Sequence, residues 1–210
     1  MENSKPTMFI FAGSNGAGKS TYYSTVINNE NERQINKSLV NSYRINADEI
    51  LRSNGGNWHK DSDNLKALVE EVRLINKYID QKKSFNFETT LAASTKTYKK
   101  YIKEAKENGF KTVLIYVGLK SPNLAITRVK NRVNKGGHGI KDDLIIRRYR
   151  KSLIHLNELI FLFDEVRLFD NTDQFIEIYH RNNKNIILLR NGYEWAYDTI
   201  MSDKKRIEKL

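Results

Sequence analysis

The chain has 210 residues, 39% of them hydrophobic and none of them cysteine, and 36 Lys and Arg outnumber 25 Asp and Glu to give a formal net charge of +11. That apolar share can build a core and argues against global disorder, while the missing cysteines exclude disulfides, thiolate metal sites and cysteine nucleophiles. The longest apolar stretches, such as Leu159–Phe163, fall far short of the roughly 18 residues of a membrane span. The polar start carries no secretion signal, so a soluble, cytoplasmic protein without a membrane partner is expected.

Thr7–Ala12 is a short continuous apolar run, the pattern of a strand buried on both faces. It runs into Gly13-Ser14-Asn15-Gly16-Ala17-Gly18-Lys19-Ser20-Thr21, and Tyr22–Asn28 then has helical character. A second strand is expected at Ser42–Asn46, followed by a helical turn from Asp48. Leu65, Leu68, Val69, Val72, Ile75 and Ile79 recur at three- and four-residue spacing, which predicts one long amphipathic helix. Ser84–Glu88 is a third strand, Thr95–Asn108 a helix closed by Gly109, and Thr112–Gly118 a fourth strand.

Ser121-Pro122 opens a helix over 122–133, with a good cap and a first-turn proline. Gly136-Gly137-His138-Gly139 interrupts the pattern before a helix over about 141–162. Val166–Phe169 gives a fifth strand, Phe175–His180 and Asn185–Arg190 flank Asn182-Asn183 as a hairpin, and a helix of mixed charge ends the chain. Strands alternating with helices, without repeats or linkers, predict one domain over 1–210: an α/β fold with a mostly parallel five-stranded sheet between helical layers, a helical lid at about 128–151 and a C-terminal β-hairpin.

The segment Gly13-x-x-x-x-Gly18-Lys19-Ser20 fits the phosphate-binding loop of nucleoside triphosphatases, with a strand before it and a helix after it. The glycines let backbone N–H groups curl around phosphate oxygens and the helix adds its positive end. Lys19 reaches the terminal phosphates, and Ser20 offers its hydroxyl to Mg²⁺. The chain is expected to bind ATP or GTP.

A motor ATPase needs an acid at the end of an apolar strand, for which Asp164-Glu165 is the available candidate. The helical register leading into that pair marks it instead as a helix end. A small-molecule kinase needs a carboxylate near the acceptor hydroxyl and cations around the transferred group. Asp48 and Glu88 each follow a strand, at the sheet edge where wound α/β folds bind ligands. The alternatives are a helix N-cap for Asp48 and a solvated strand-end acid for Glu88.

Between Arg128 and Lys151 lie nine basic residues and two acidic ones. Arg128 and Arg132 share a helix face, and Arg147, Arg148 and Arg150 open the next helix. This pattern suits a lid that clamps phosphates. A solvated basic face or a nucleic-acid-binding arm on a stimulated ATPase is the competing reading, and His138 is either a substrate contact or a solvated loop residue.

Together, the phosphate loop, Asn46-x-Asp48, Phe87-Glu88-Thr89-Thr90-Leu91 and Ser121-Pro122-x-x-Ala125-x-x-Arg128-Val129-x-x-Arg132-Val133-x-x-Gly136-Gly137-His138, with Arg147-Arg148-Tyr149, resemble the zeta toxin family, in particular its compact bacterial branch. The resemblance spans about Met8 to Asn171. It implies a P-loop kinase fold and an ATP·Mg²⁺-dependent kinase acting on the 3′-hydroxyl of the amino sugar in UDP-N-acetylglucosamine, held inactive by an antitoxin. It makes Lys19 a phosphate contact, Asp48 the general base, Glu88 and Thr90 substrate contacts, and Arg132 with Arg147 or Arg148 the lid arginines. Asn171, after the last core strand, would border the nucleotide base.

Two departures stand out: the family's arginine two residues beyond Thr90 is Ala92 here, and the Gly-Gly-His-Gly insertion leaves the second lid arginine ambiguous. No antitoxin-like helical segment precedes the first strand, so an inhibitor is expected as a separate chain. Kinase chemistry on another small alcohol or nucleotide is the remaining alternative.

Overall fold

The computed structural model describes residues 5–137 and 139–209. Among them, seven strands form one sheet in the order β2-β3-β1-β4-β5-β6-β7. The first five are parallel: β1 (Thr7–Ala12), β2 (Tyr43–Ile45), β3 (Phe85–Thr89), β4 (Lys111–Gly118) and β5 (Glu165–Asp170). The expected hairpin, β6 (Ile176–Asn182) and β7 (Asn185–Leu189), is not a separate appendage. It pairs antiparallel onto β5 and extends the five-stranded sheet to seven. The fold is thus the three-layer α/β arrangement of P-loop kinases.

Alternation along β1 divides the core. Met8, Ile10 and Ala12 face one layer, while Phe9 and Phe11 face the other, and both sets are buried. A central parallel strand must be apolar on both faces because helices cover both. The first layer contains α5 (Asp61–Asp80), α6 (Thr95–Glu107) and α9 (Glu194–Ile207). The second contains α1 (Lys19–Asn28), α3 (Lys37–Val40) and α7 (Pro122–Asn134). The short α2 (Glu30–Ile35) and α3 occupy a polar stretch whose lack of apolar periodicity predicts neither.

Helix α8 (Asp142–Leu159) belongs to both layers. Ile145 and Tyr149 pack in the second core, and Leu156 and Leu159 pack in the first. Between them the helix crosses the carboxyl edge of the sheet, pinned there by two hydroxyls. Tyr149 donates to the Leu119 carbonyl at 2.7 Å, and the Tyr116 and Ser152 hydroxyls pair at 2.9 Å.

One expectation changes. The long amphipathic helix expected here is present as α5, but Leu65 is 61% exposed and Leu68 50% exposed, so its apolar stripe does not pack along its whole length. The buried positions are Ala67, Glu71, Ile75 and Ile79. Only the second half of the helix lies over the sheet, while the first half rises along the rim of a cavity and turns Glu71 inward.

The hairpin and α9 are joined by a buried ion pair. Arg181 Nε donates to Asp203 Oδ2 at 2.7 Å, and the same oxygen accepts from Tyr179 Oη at 2.9 Å. The rest of the guanidinium donates to the carbonyls of Phe163, Asn183 and Ile160. Removing one partner of such a pair strands the other charge in the core. We therefore expect Asp203→Ala to lower unfolding stability by about 3–5 kcal/mol in urea titrations; a loss below about 1 kcal/mol would mean that the three carbonyls satisfy Arg181 on their own.

Candidate active site

The loop after β1 has no space for side chains at its glycines. A Cβ on Gly13 would lie 2.2 Å from the Val117 carbonyl oxygen, and one on Gly16 would lie 2.7 Å from that of Ala125. Gly16 and Gly18 also adopt positive φ of 75° and 98°, which glycine tolerates without strain. Asn171, buried after β5, donates Nδ2 to the Ala17 carbonyl at 2.8 Å and braces the loop.

Helix α1 starts directly from Gly18, with no side chain capping its first turn. By contrast Asn46, Ser94 and Ser121 cap α4 (Ala47–Ser53), α6 and α7. The first N–H groups of α1 therefore remain available to an anion. Together with the glycine positions that admit no side chain, this fits a triphosphate.

Lys19 is partly buried, with Nζ donating to the carbonyls of Gly13 at 2.9 Å and Ser14 at 3.1 Å. Burial lowers its pKa, Arg132 and Arg148 push the same way, and the carboxylates of Glu88 and Asp48 oppose them. These five expected residues thus share one electrostatic neighbourhood. Asp48 is not the cap of α4. Asn46 Oδ1 accepts from the backbone N–H of Asp48 at 2.9 Å and of Glu49 at 3.1 Å, leaving the Asp48 side chain exposed.

Glu88 is held on two sides. It accepts from the Ser20 hydroxyl at 2.9 Å and pairs with Arg44, whose guanidinium also lies 3.8 Å from the centre of the Tyr23 ring. Mg²⁺ in phosphoryl-transfer sites takes only one or two protein oxygens, the remainder coming from phosphates and water. The neighbouring oxygens of Ser20 and Glu88 fit that demand, and an ion held there would neutralise charge on the phosphates.

The lid arginines divide. Arg148 reaches the phosphate loop, donating to Asn15 Oδ1 at 3.3 Å, and burial together with Arg147 lowers its pKa. Both Arg147 and Arg148 line a neighbouring cavity of about 700 Å³, along with Glu88, Thr90, Ala92 and Tyr98. Arg128, expected at the nucleotide, donates to the Thr172 carbonyl at 2.9 Å and positions the loop after β5. Thr21 is exposed in the first turn of α1, and His138 lies outside the described residues.

The sequence reading passed over Glu71, Arg44 and Trp195. Glu71 is 8% exposed and lines the cavity. Burial pushes its carboxyl up to about 7, and Asp48 and Glu88 act in the same direction. Its signal was present as an acid in the Ala67–Glu71–Ile75–Ile79 register of a helix face.

Trp195 donates Nε1–H to Asp170 Oδ2 at 2.8 Å, and its ring lies where a Cβ on Gly118 would be. Asp170 also accepts from the Thr172 backbone N–H and hydroxyl, so α9 supports the loop after β5. Nothing local in the sequence marks that contact. Asp164 and Glu165, the alternative motor acids, lie at the start of β5, at the opposite edge of the sheet. They are engaged by Thr112 and Lys106, and by Lys111 and His180.

The zeta toxin family model matches residues 1–192. The chain belongs to the zeta toxin family. An uncharacterized protein of Haemophilus influenzae Rd is 31% identical over 140 residues, covering 67% of this chain and 90% of that one. Two solved structures share the fold. One is from the PezAT chromosomal toxin–antitoxin system of Streptococcus pneumoniae (TM-score 0.60, 16% identity, covering 100% of this chain and 88% of that one). The other is the AvrRxo1-ORF1:-ORF2 complex with ATP (TM-score 0.63, 15% identity), where the match covers 96% of this chain and 64% of that one. The family match ends before α9, so Trp195 lies beyond it.

The Glu71 carboxyl binds its proton more tightly folded than unfolded, so its favourable contribution holds below the unfolded pKa near 4.5 and fades as pH rises to about 7. Urea denaturation at pH 5 and pH 8 should show wild type losing up to about 3 kcal/mol relative to Glu71→Gln across that interval. Parallel pH profiles for the two proteins would refute the burial argument.

Proposed function

We propose that this zeta toxin family member is an ATP-dependent phosphotransferase. It moves the γ-phosphoryl group to a hydroxyl of a sugar nucleotide of the UDP-N-acetylglucosamine type, as the toxin of a toxin–antitoxin pair. One observation carries the reading: Lys19, Asp48, Arg132 and Arg148 share one electrostatic neighbourhood at the phosphate loop, and Arg148 and Glu88 also line a cavity large enough for a nucleotide-linked sugar. A site that only hydrolysed ATP would need no such second chamber.

The glycine loop and the open first turn of α1 bind the triphosphate, and Lys19 exchanges its loop carbonyls for phosphate oxygens. Asp48 orients the acceptor hydroxyl. As the acceptor oxygen bonds to the γ-phosphorus, the bond from that phosphorus to the ADP oxygen breaks, and the hydroxyl proton passes to Asp48. Charge spreads over the transferred group and the leaving oxygen. Arg132 and Arg148 answer that charge from the lid, and Mg²⁺ at Ser20 and Glu88 supplies further neutralisation when bound.

Support for ATP as donor comes from the AvrRxo1 complex determined with ATP, and support for a separate inhibitory chain comes from the two-component PezAT system. No helix among the described residues is long and apolar enough to cross a membrane.

Incubation with ATP, Mg²⁺ and a panel of UDP-sugars, read by product mass, should give one sugar nucleotide heavier by a phosphate. Asp48→Ala should lower that turnover about 10²–10⁴-fold with an unchanged melting profile. Release of free phosphate alone, or full turnover by folded Asp48→Ala, defeats the assignment.

A further inference from the structure

Asp170 closes β5 and is 5% exposed, yet among the described residues no cation forms an ion pair with it. Three neutral donors hold it instead. The Thr172 backbone N–H and hydroxyl each donate to it at 2.9 Å, and Trp195 Nε1–H donates to Oδ2 at 2.8 Å. A buried carboxylate without a counter-ion depends on such donors, because an unmet oxygen keeps its desolvation cost. Trp195 is the donor from outside the turn, standing on α9 and 25 positions along the chain. The family match stops at residue 192, so this donor belongs to a segment that the phosphate-loop motif does not imply.

Trp195 also fixes the strand beside that turn. Its ring lies 2.3 Å from where a Cβ on Gly118, the last residue of β4, would be, so only glycine lets the ring close on the backbone. The Gly118 carbonyl accepts from the Asn171 N–H at 3.0 Å, and Asn171 Nδ2 donates onward to the Ala17 carbonyl at 2.8 Å. Asn171 is thus set by Asp170 before it and by Gly118 across from it, and Trp195 touches both. The same ring lies 5.7 Å from that of Tyr116, whose hydroxyl pairs with Ser152 of α8. One indole therefore meets the backing of the phosphate loop and the strand that pins the lid helix.

We propose that Trp195 is a positioning residue for triphosphate binding, acting through Asp170 and Asn171 on the Ala17 carbonyl of the phosphate loop. The indole N–H keeps Asp170 in its turn, and the turn aims the Asn171 amide. That amide holds the loop in the shape that presents its N–H groups. An anion site built of backbone donors is sensitive to their direction, since N–H···O bonds weaken steeply as they bend. The coupling runs both ways: a well-seated α9 tightens nucleotide binding, and bound nucleotide tightens the seat of α9. The proposal rests on the triphosphate reading of the loop and deepens it.

The test titrates the full chain with Mg²⁺ and a non-hydrolysable ATP analogue by calorimetry. Trp195→Phe keeps an aromatic ring and removes the N–H, and it should weaken analogue binding about tenfold. Tyr197→Ala, on the same helix but at a position 60% exposed, should bind as wild type does. In turnover assays, Trp195→Phe should raise KM for ATP about tenfold while kcat and KM for the acceptor stay within about twofold. A helix that merely held the fold together would lower the melting temperature without that split. The chain has two tryptophans, so Trp58→Phe leaves Trp195 as the reporter, and its emission should change as the analogue saturates the site.

Unchanged analogue affinity in Trp195→Phe overturns the role, as does an equal loss in Tyr197→Ala or a loss confined to kcat. Should Trp195→Phe fail to fold, the emission decides: no change in Trp58→Phe at saturation overturns the coupling. The two readings fail separately. Wild type that binds no analogue removes the triphosphate reading and this role with it, whereas analogue binding indifferent to Trp195 removes the role alone.

Discussion

The site depends on a stretch of backbone that excludes its own side chains. Gly13 and Gly16 sit within Cβ-forbidding distance of the Val117 and Ala125 carbonyls, and Gly18 presses against Asn171. The loop is therefore clamped between β4, α7 and the end of β5 rather than suspended above the sheet. Close packing of backbone on backbone fixes the direction of the α1 N–H groups. Every charged residue then takes its place relative to that fixed ring of donors.

Charge around the ring is balanced in layers. The cations Lys19, Arg132 and Arg148 are offset by Glu88 and Asp48, and Glu88 is itself shared between Ser20 and Arg44. Arg44 stacks on Tyr23 of α1 and also meets Glu49 of α4, so one guanidinium ties the helix carrying Lys19 to the helix carrying Asp48. That tie holds the two helices in register. Farther into the cavity, Glu71 has no cation of its own, which is why burial dominates its proton affinity.

Much of this was legible in the sequence wherever one pattern implied one environment. The β1 run, the glycine loop and the Ser121-Pro122 cap each carry their own geometry, and their elements stand where expected. Strand-end acids and lid arginines were visible as types in a spacing. Which arginine reaches the phosphate loop was not, because adjacent residues on a helix differ by about 100° and only the crossing of α8 over the sheet edge brings Arg148 to Asn15. Long-range contacts were illegible for a related reason. Trp195 meets Asp170 across 25 positions, and Arg44 meets Glu88 across 44. The α5 stripe misled because apolar periodicity reports a face without saying what that face covers.

The crossing of α8 also determines what holds it in place. Its two hydroxyl pins, at Tyr149 and Ser152, fall near the middle of the helix, with Arg147, Arg148 and Lys151 clustered about them. Ile145 on one side of the pins and Leu156 and Leu159 on the other are fully buried in different cores. A single rigid rod thus staples the two faces of the sheet together, and loosening either core shifts the bearing of all three cations.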